Sequence, residues 1–101
     1  MISEQKLVAL ILESLKNVKD ADAVYKDWIV NEKTIALGTR SSMDSVAFTT
    51  FVTDLEEKIE KEIQSPYELD LTELYGDQPP AEINFSVSDI AHGIHRTLQS
   101  R

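Results

Sequence analysis

The chain contains no cysteine. That excludes a disulfide framework, a thiolate nucleophile and any metal site built on sulfur, and it gives no indication of redox compartment. Glycine and proline are scarce, at three residues each, and no glycine-rich run is present to cradle a phosphate. No apolar stretch approaches the ~20 residues that a membrane-spanning helix needs. The opening residues Met1-Ile2-Ser3-Glu4-Gln5 lack the basic start and apolar centre of a secretory signal. The expectation is a cytoplasmic protein without membrane insertion. Basic residues are outnumbered: 10 Lys and Arg stand against 18 Asp and Glu, for a formal net charge of −8. Nucleic acid, which needs a positive surface for counterion release, is therefore not an expected partner. Proteins with basic patches are.

What the chain does have is helical periodicity. Its 101 residues suggest one domain spanning 1–101. Leu7, Ile11, Leu15 and Val18 form one stripe, flanked by Val8 and Leu10, and predict a helix over 3–18 capped by Ser3. Residues 19–43 read as a long connection. It is broken by Asp20, Asp22, Asn31, Gly38, Ser41 and Ser42, and anchored across the helices by Tyr25, Trp28, Ile29, Val30, Ile35 and Leu37. A second helix is predicted over 45–64, with Val46, Phe51, Val52, Leu55, Ile59 and Ile63 at core spacing. Asp54 and Lys58, and Glu57 and Lys61, form favourable i,i+4 pairs, and Pro66 bars continuation. Residues 66–85 fit either an extended stretch or a short helix ending at Gly76, followed by a loop at Pro79-Pro80. A last helix is predicted over 86–98, where Ser86-Val87-Ser88-Asp89 has capping-box spacing. Gly93 either weakens that helix by ~1 kcal/mol or admits a close neighbour. The pattern is a small all-α bundle.

Asp44-Ser45-Val46 opens the second helix. Asp44 is a suitable N-cap, which puts the Ser45 hydroxyl in the first helical turn, exposed to water. A phosphodiester built on that oxygen would sit beside unpaired N–H groups at the positive end of the helix dipole. Read from the residues alone, Ser45 is equally an ordinary polar residue behind an ordinary cap.

The ordered set of motifs resembles the acyl carrier protein family. Leu37-Gly38 is followed by a short polar loop, then Met43-Asp44-Ser45-Val46, Phe51-Val52, Leu55-Glu56-Glu57 and Ile59. Thr34-Ile35-Ala36-Leu37-Gly38 is similar to the family's approach to its modification site, and Ser86-Val87-Ser88-Asp89-Ile90-Ala91 to the start of its last helix. The resemblance covers nearly the whole chain in order. Ser41 and Ser42 compete for the serine, but only Ser45 places Leu55-Glu56-Glu57 at the family's separation without a gap inside the helix. Val46 stands where the family usually has Leu or Met. Ala47, Thr49 and Thr50 stand where fatty-acid-synthase carriers are often acidic, which points towards a specialised pathway. The Gly-Gly-x-Ser signature of peptidyl carriers is absent.

The resemblance implies an acyl-carrier-type four-helix bundle, with three main helices, a short or irregular third helix and a long loop after the first. It implies covalent 4′-phosphopantetheine on Ser45, whose thiol holds acyl intermediates for fatty-acid, polyketide or other lipid-type biosynthesis. Asp44 would cap the helix and be recognised by the phosphopantetheinyl transferase (holo-acyl-carrier-protein synthase). Val46, Glu56 and Glu57 would face that enzyme and the acyl-loading and acyl-modifying enzymes, with the carrier a monomer. The competing expectations are an aminoacyl or peptidyl carrier on the same fold, and an unmodified acidic adaptor. A free-standing enzyme is not expected, since no nucleophile–base pair is evident. No metal site is expected either. His92 and His95 lack further ligands, and Asp20-Ala21-Asp22 lacks the glycine and bidentate glutamate of a calcium loop and reads as solvated loop. Trp28 reads as cover for the core. Phe48, off the main stripe, borders a cavity or meets partners.

Overall fold

Ser3 starts the first helix. Its hydroxyl accepts the Lys6 N–H at 3.1 Å, satisfying one of the donors that a helix start leaves unpaired. Helix α1 then runs Glu4–Ala21 in the computed structural model, which describes residues 2–38, 40–75 and 84–100. It passes the expected end at residue 18 because nothing in Lys19-Asp20-Ala21 breaks it. Asp20 and Ala21 are thus helical rather than loop, though exposed. The helix ends at Asp22, which turns extended and whose carboxylate accepts the Val24 N–H at 3.0 Å to begin a 3₁₀ turn, Ala23–Tyr25.

The remaining helices are α2 (Ser45–Ile63), α3 (Leu71–Tyr75) and α4 (Val87–Gln99). Helix α2 stops at Gln64, which adopts the left-handed conformation (φ 55°) and donates its N–H to the Glu60 carbonyl at 2.8 Å. Helix α4 carries the complete capping box: the Ser86 hydroxyl accepts the Asp89 N–H at 3.2 Å, and the Asp89 carboxylate accepts the Ser86 N–H at 3.0 Å.

The long connection is not all irregular. Strand β1 (Ile35–Gly38) pairs antiparallel with strand β2 (Asn84–Ser86), with Ile35 opposite Ser86, Leu37 opposite Phe85 and Gly38 opposite Asn84. An irregularity between Ile35 and Leu37 lets Ala36 and Leu37 both turn inward, as a bulge does. This corrects the all-α expectation: the described residues form a mostly helical fold with four α-helices and a small two-stranded sheet. Two further bonds tie the connection to the head of α4. The Thr34 carbonyl accepts the Val87 N–H at 3.0 Å, and the Glu32 carbonyl accepts the Ser88 N–H at 3.1 Å.

The core follows the helical stripes. Leu7, Ile11, Leu15 and Val18 of α1 meet Phe51, Leu55 and Ile59 of α2 and Val87, Ile90, Ala91 and Ile94 of α4. Each such aliphatic side chain taken from water contributes about 1.5–3 kcal/mol. Ile29 departs from expectation and points outward, 76% exposed; Val46, read both as part of the core stripe and as facing partners, is 74% exposed, and Ala47 takes the inward place at the start of α2. Trp28 and Val30 are half-buried, and Tyr25 is fully packed.

Helix α1 lies against both α2 and α4, and the buried side chains of all three join one core. Residues 66–75 bridge α2 and α4. A segment without regular structure through Tyr67 and Leu69 hangs on α2, and α3 lies on α4. Of the two alternatives for this region, the short helix is present at Leu71–Tyr75. Gly76 and Pro79-Pro80 lie outside the described residues.

Candidate functional site

Every element around Ser45 is fixed from a different part of the chain. Strand β1 ends at Gly38, whose φ of 113° is a conformation that residues with a Cβ rarely adopt. The chain then reverses, with Ser41 N–H bonding to the Gly38 carbonyl at 3.2 Å and Arg40 N–H to the Asn84 side-chain oxygen at 2.8 Å. The Ser41 hydroxyl accepts the Met43 N–H at 3.3 Å. Ser41 is thereby occupied as a turn residue, and Ser42 is exposed beside it.

Asp44 follows in an extended conformation and caps α2. Its carboxylate accepts the Ala47 N–H at 2.8 Å, and its carbonyl accepts the Phe48 N–H at 2.9 Å. Its own N–H is bonded at 3.0 Å to the hydroxyl of Tyr25. Tyr25 was visible in the sequence only as an apolar anchor. An aromatic ring ending in a hydroxyl was the one available sign of a polar role, and spacing does not reveal which N–H it meets.

Ser45 is the first residue of α2 and is exposed. Its hydroxyl makes no hydrogen bond to any described residue, and the N–H groups of Ser45 and Val46 are likewise unpaired among them. On one side lies a cleft of about 250 Å³, lined by Ser45 together with Ala36, Leu37, Met43 and Phe48. Phe48 thus borders the cavity beside the serine. On the other side, Asp44 and Val46 line a second cleft of about 200 Å³ with Val18, Ala21, Asp22 and Tyr25. Among the described residues, no histidine, lysine or arginine lines either cleft. Chemically, Ser45 is an accessible hydroxyl whose neighbouring carboxylate, Asp44, is engaged as the helix cap.

The two glutamates with expected partner roles are placed differently. Glu57 is exposed. Glu56 is half-buried, and its Oε2 accepts the Leu69 N–H at 2.7 Å. One turn further on, Glu60 Oε1 accepts the Tyr67 N–H at 3.0 Å.

Asp54, at the start of the acidic run, joins α2 to α1. It pairs with Lys58 at 2.9 Å and accepts the Asn17 side-chain N–H at 3.2 Å. Partial burial pushes its carboxyl up, but the Lys58, Ser14 and Asn17 side chains and the Lys58 charge outweigh that. The carboxyl therefore titrates below its ordinary value of 3.8. The buried Ser14 hydroxyl faces Asp54 without closing a hydrogen bond of ordinary geometry, so Lys58 and Asn17, which do, are the main cause of the lowering. Glu57 and Lys61, the other expected pair, do not close an ion pair.

His92 is exposed and meets Glu4 at 2.9 Å, while His95 is half-buried on the next turn. Among the described residues no group of three or more His, Asp or Glu side chains is placed to hold a metal ion, and no helix is long and apolar enough to cross a membrane. No protein-family model, no curated protein and no solved structure matches this chain.

Proposed function

We propose that this chain is a carrier protein of the acyl-carrier type, with the Ser45 hydroxyl as the attachment point of 4′-phosphopantetheine. The observation that carries this reading is the setting of Ser45: exposed, without a hydrogen bond from its hydroxyl to any described residue, and first in a 19-residue helix behind an aspartate cap. The order of elements supports it: a helix, a long connection through Leu37-Gly38, the Asp44-Ser45 helix, a short helix and a final capped helix. On the same grounds we propose that the four helices are an acyl-carrier-type bundle.

The residues present fit such a group. A phosphodiester on Ser45 would lie next to the unpaired N–H groups of Ser45 and Val46, at the positive end of α2. The cleft lined by Met43 and Phe48 offers apolar walls beside the start of the arm. When bound, the group supplies a terminal thiol that carries an acyl group as a thioester. The chain's own residues hold and orient. Asp44 fixes the helix start, Tyr25 fixes Asp44, and Ser45 Oγ forms the bond to phosphorus. A free serine is a weak nucleophile, the Asp44 carboxylate beside it is engaged with the Ala47 N–H, and no histidine, lysine or arginine among the described residues lines either cleft, so the proton acceptor and Mg²⁺ would belong to the phosphopantetheinyl transferase. The 3′,5′-bisphosphate of adenosine leaves from coenzyme A. Val46 and Glu57, both on the surface, are the side chains best placed to meet that enzyme and the acyl-loading ones. Glu56 contributes less, because it is engaged with Leu69.

Intact-mass measurement after incubation with coenzyme A and a broad-specificity transferase tests the reading. The expected result is a gain of one phosphopantetheine, lost in Ser45→Ala, with both proteins giving the same circular dichroism. No gain in the folded wild-type chain overturns it and leaves the acidic adaptor. Identification of the thioester on protein from its source separates an acyl from an aminoacyl cargo.

A further inference from the structure

The cleft on the α1 side of the helix start has a chemistry of its own. Val18, Ala21, Tyr25, Val46 and Ala47 give it apolar walls around about 200 Å³. Val46, which lines it, is 74% exposed, and Val24, which precedes Tyr25 in the 3₁₀ turn, is 75% exposed. Among the described residues only Ile29 is a comparably exposed large apolar side chain, so most of the bare apolar surface gathers here. The charge of the cleft has one sign. Asp22 and Asp44 line it, and among the described residues no cation does. Each carboxylate gives one oxygen to a backbone N–H, Val24 at 3.0 Å and Ala47 at 2.8 Å. Neither closes an ion pair among the described residues. Lys19 and Lys26 flank the turn in sequence without lining the cleft.

An apolar hollow beside two carboxylates without ion-pair partners is poorly matched to a second copy of this chain, whose net charge is −8. It is well matched to a protein that presents an apolar side chain next to Lys or Arg. The cleft is also continuous with the attachment point: Asp44 lines both clefts, and Val46 directly follows Ser45. An ordinary protein interface covers ~800 Å² on each partner, far more than one serine, so an enzyme at Ser45 must also rest on a flank of the helix start. We infer that this cleft, with Asp22 and Val24 on its α1 side, is the docking face for the enzyme that modifies Ser45. That enzyme seats an apolar side chain in the hollow and pairs flanking Lys or Arg with the two carboxylates. The inference rests on the carrier reading and adds to it a footing on the turn after α1. Asp22 and Val24 bind and do not react, since neither lines the cleft that Ser45 lines.

Steady-state loading kinetics test it, with the full chain as the varied substrate, saturating coenzyme A and the broad-specificity transferase. Asp22→Asn keeps a cap for the Val24 N–H and removes the charge. Val24→Ser removes exposed apolar surface. Each is expected to raise KM about threefold, and the two together about tenfold, with kcat unchanged, as loss of binding alone requires. The kcat/KM of Asp22→Asn is also expected to fall less steeply with added salt than that of the wild type. Glu13→Gln removes an equal charge from an exposed position of α1 outside both clefts and is expected to leave KM and the salt dependence unchanged. A wild type that is loaded, with the same KM in Asp22→Asn and Val24→Ser, overturns the docking face and leaves the carrier reading standing. So does an equal rise of KM in Glu13→Gln, which reports bulk charge, or a fall in kcat at constant KM. A folded wild type that is never loaded overturns both. Where Val24→Ser fails to fold by circular dichroism, Asp22→Asn and its salt dependence decide.

Discussion

The Tyr25 hydroxyl and the Asp44 N–H are 3.0 Å apart, and that bond joins the turn after α1 to the residue that caps α2. The Tyr25 ring is buried and packed against Trp28, with centroids 5.7 Å apart, which restricts where the hydroxyl can lie. Tyr25→Phe keeps the ring and removes the acceptor, leaving the Asp44 N–H part-buried and unpaired. The expected loss is about 1 kcal/mol, read as a lower denaturant midpoint at an unchanged slope. Transfer of phosphopantetheine to Ser45 should also slow, because the serine's approach is less fixed. An unchanged transfer rate at reduced stability would confine Tyr25 to a structural part.

Asp44 has two roles to separate, capping and recognition. Asp44→Ala removes the acceptor of the Ala47 N–H and should cost about 1 kcal/mol. Asp44→Asn keeps an equivalent cap without the charge, so its stability should stay within a few tenths of a kcal/mol of wild type. If the transferase reads the carboxylate, the asparagine variant loads slowly while folding as well as the wild type. Equal loading of the two proteins would show that Asp44 only caps.

What was legible in the sequence was local. The Ser3, Asp44 and Ser86 caps, the α1 and α4 stripes and the end of α2 at Gln64 each depend on residues within a turn of one another. The sheet was not legible, because Ile35 pairs with Ser86 half the chain away and the bulge at Ala36 removes the alternation that marks a strand. Spacing puts Val46 on the core stripe and the family resemblance turns it towards partners; the buried stripe begins at Ala47, and Val46 borders an open cleft with Val18 and Ala21 of α1. Ser45 was legible as a capped serine and Tyr25 was not, for a related reason: a cap is a contact within a turn, whereas the Tyr25 bond spans nineteen residues.

Asp54 makes stability depend on pH in a stated direction. Its folded pKa lies below the ordinary 3.8, because the Lys58, Ser14 and Asn17 side chains outweigh the penalty of partial burial. A depressed carboxylate contributes stability that is present above its ordinary pKa and is lost as pH falls through the folded value. Asp54→Asn should therefore be less stable than wild type at neutral pH, and the two should converge in acid below 3.8. Chemical denaturation at neutral and acidic pH measures this, and a gap that persists at full size in strong acid would remove Asp54 from the account.

Gly93 and Leu74 set the seat of α3 on α4. In an isolated helix, Gly93→Ala would gain about 1 kcal/mol of propensity. Here the new methyl meets the Leu74 side chain. Leu74 is only 6% exposed, so it has little room to move, and such overpacking costs about 1–3 kcal/mol. The clash should win, for a net loss of about 1 kcal/mol by denaturant titration. In a Leu74→Ala background the obstruction is gone and the same substitution should become stabilising. That reversal of sign, a coupling of about 2 kcal/mol, is the decisive measurement. If Gly93→Ala stabilises both backgrounds alike, α3 is not seated on that glycine in solution.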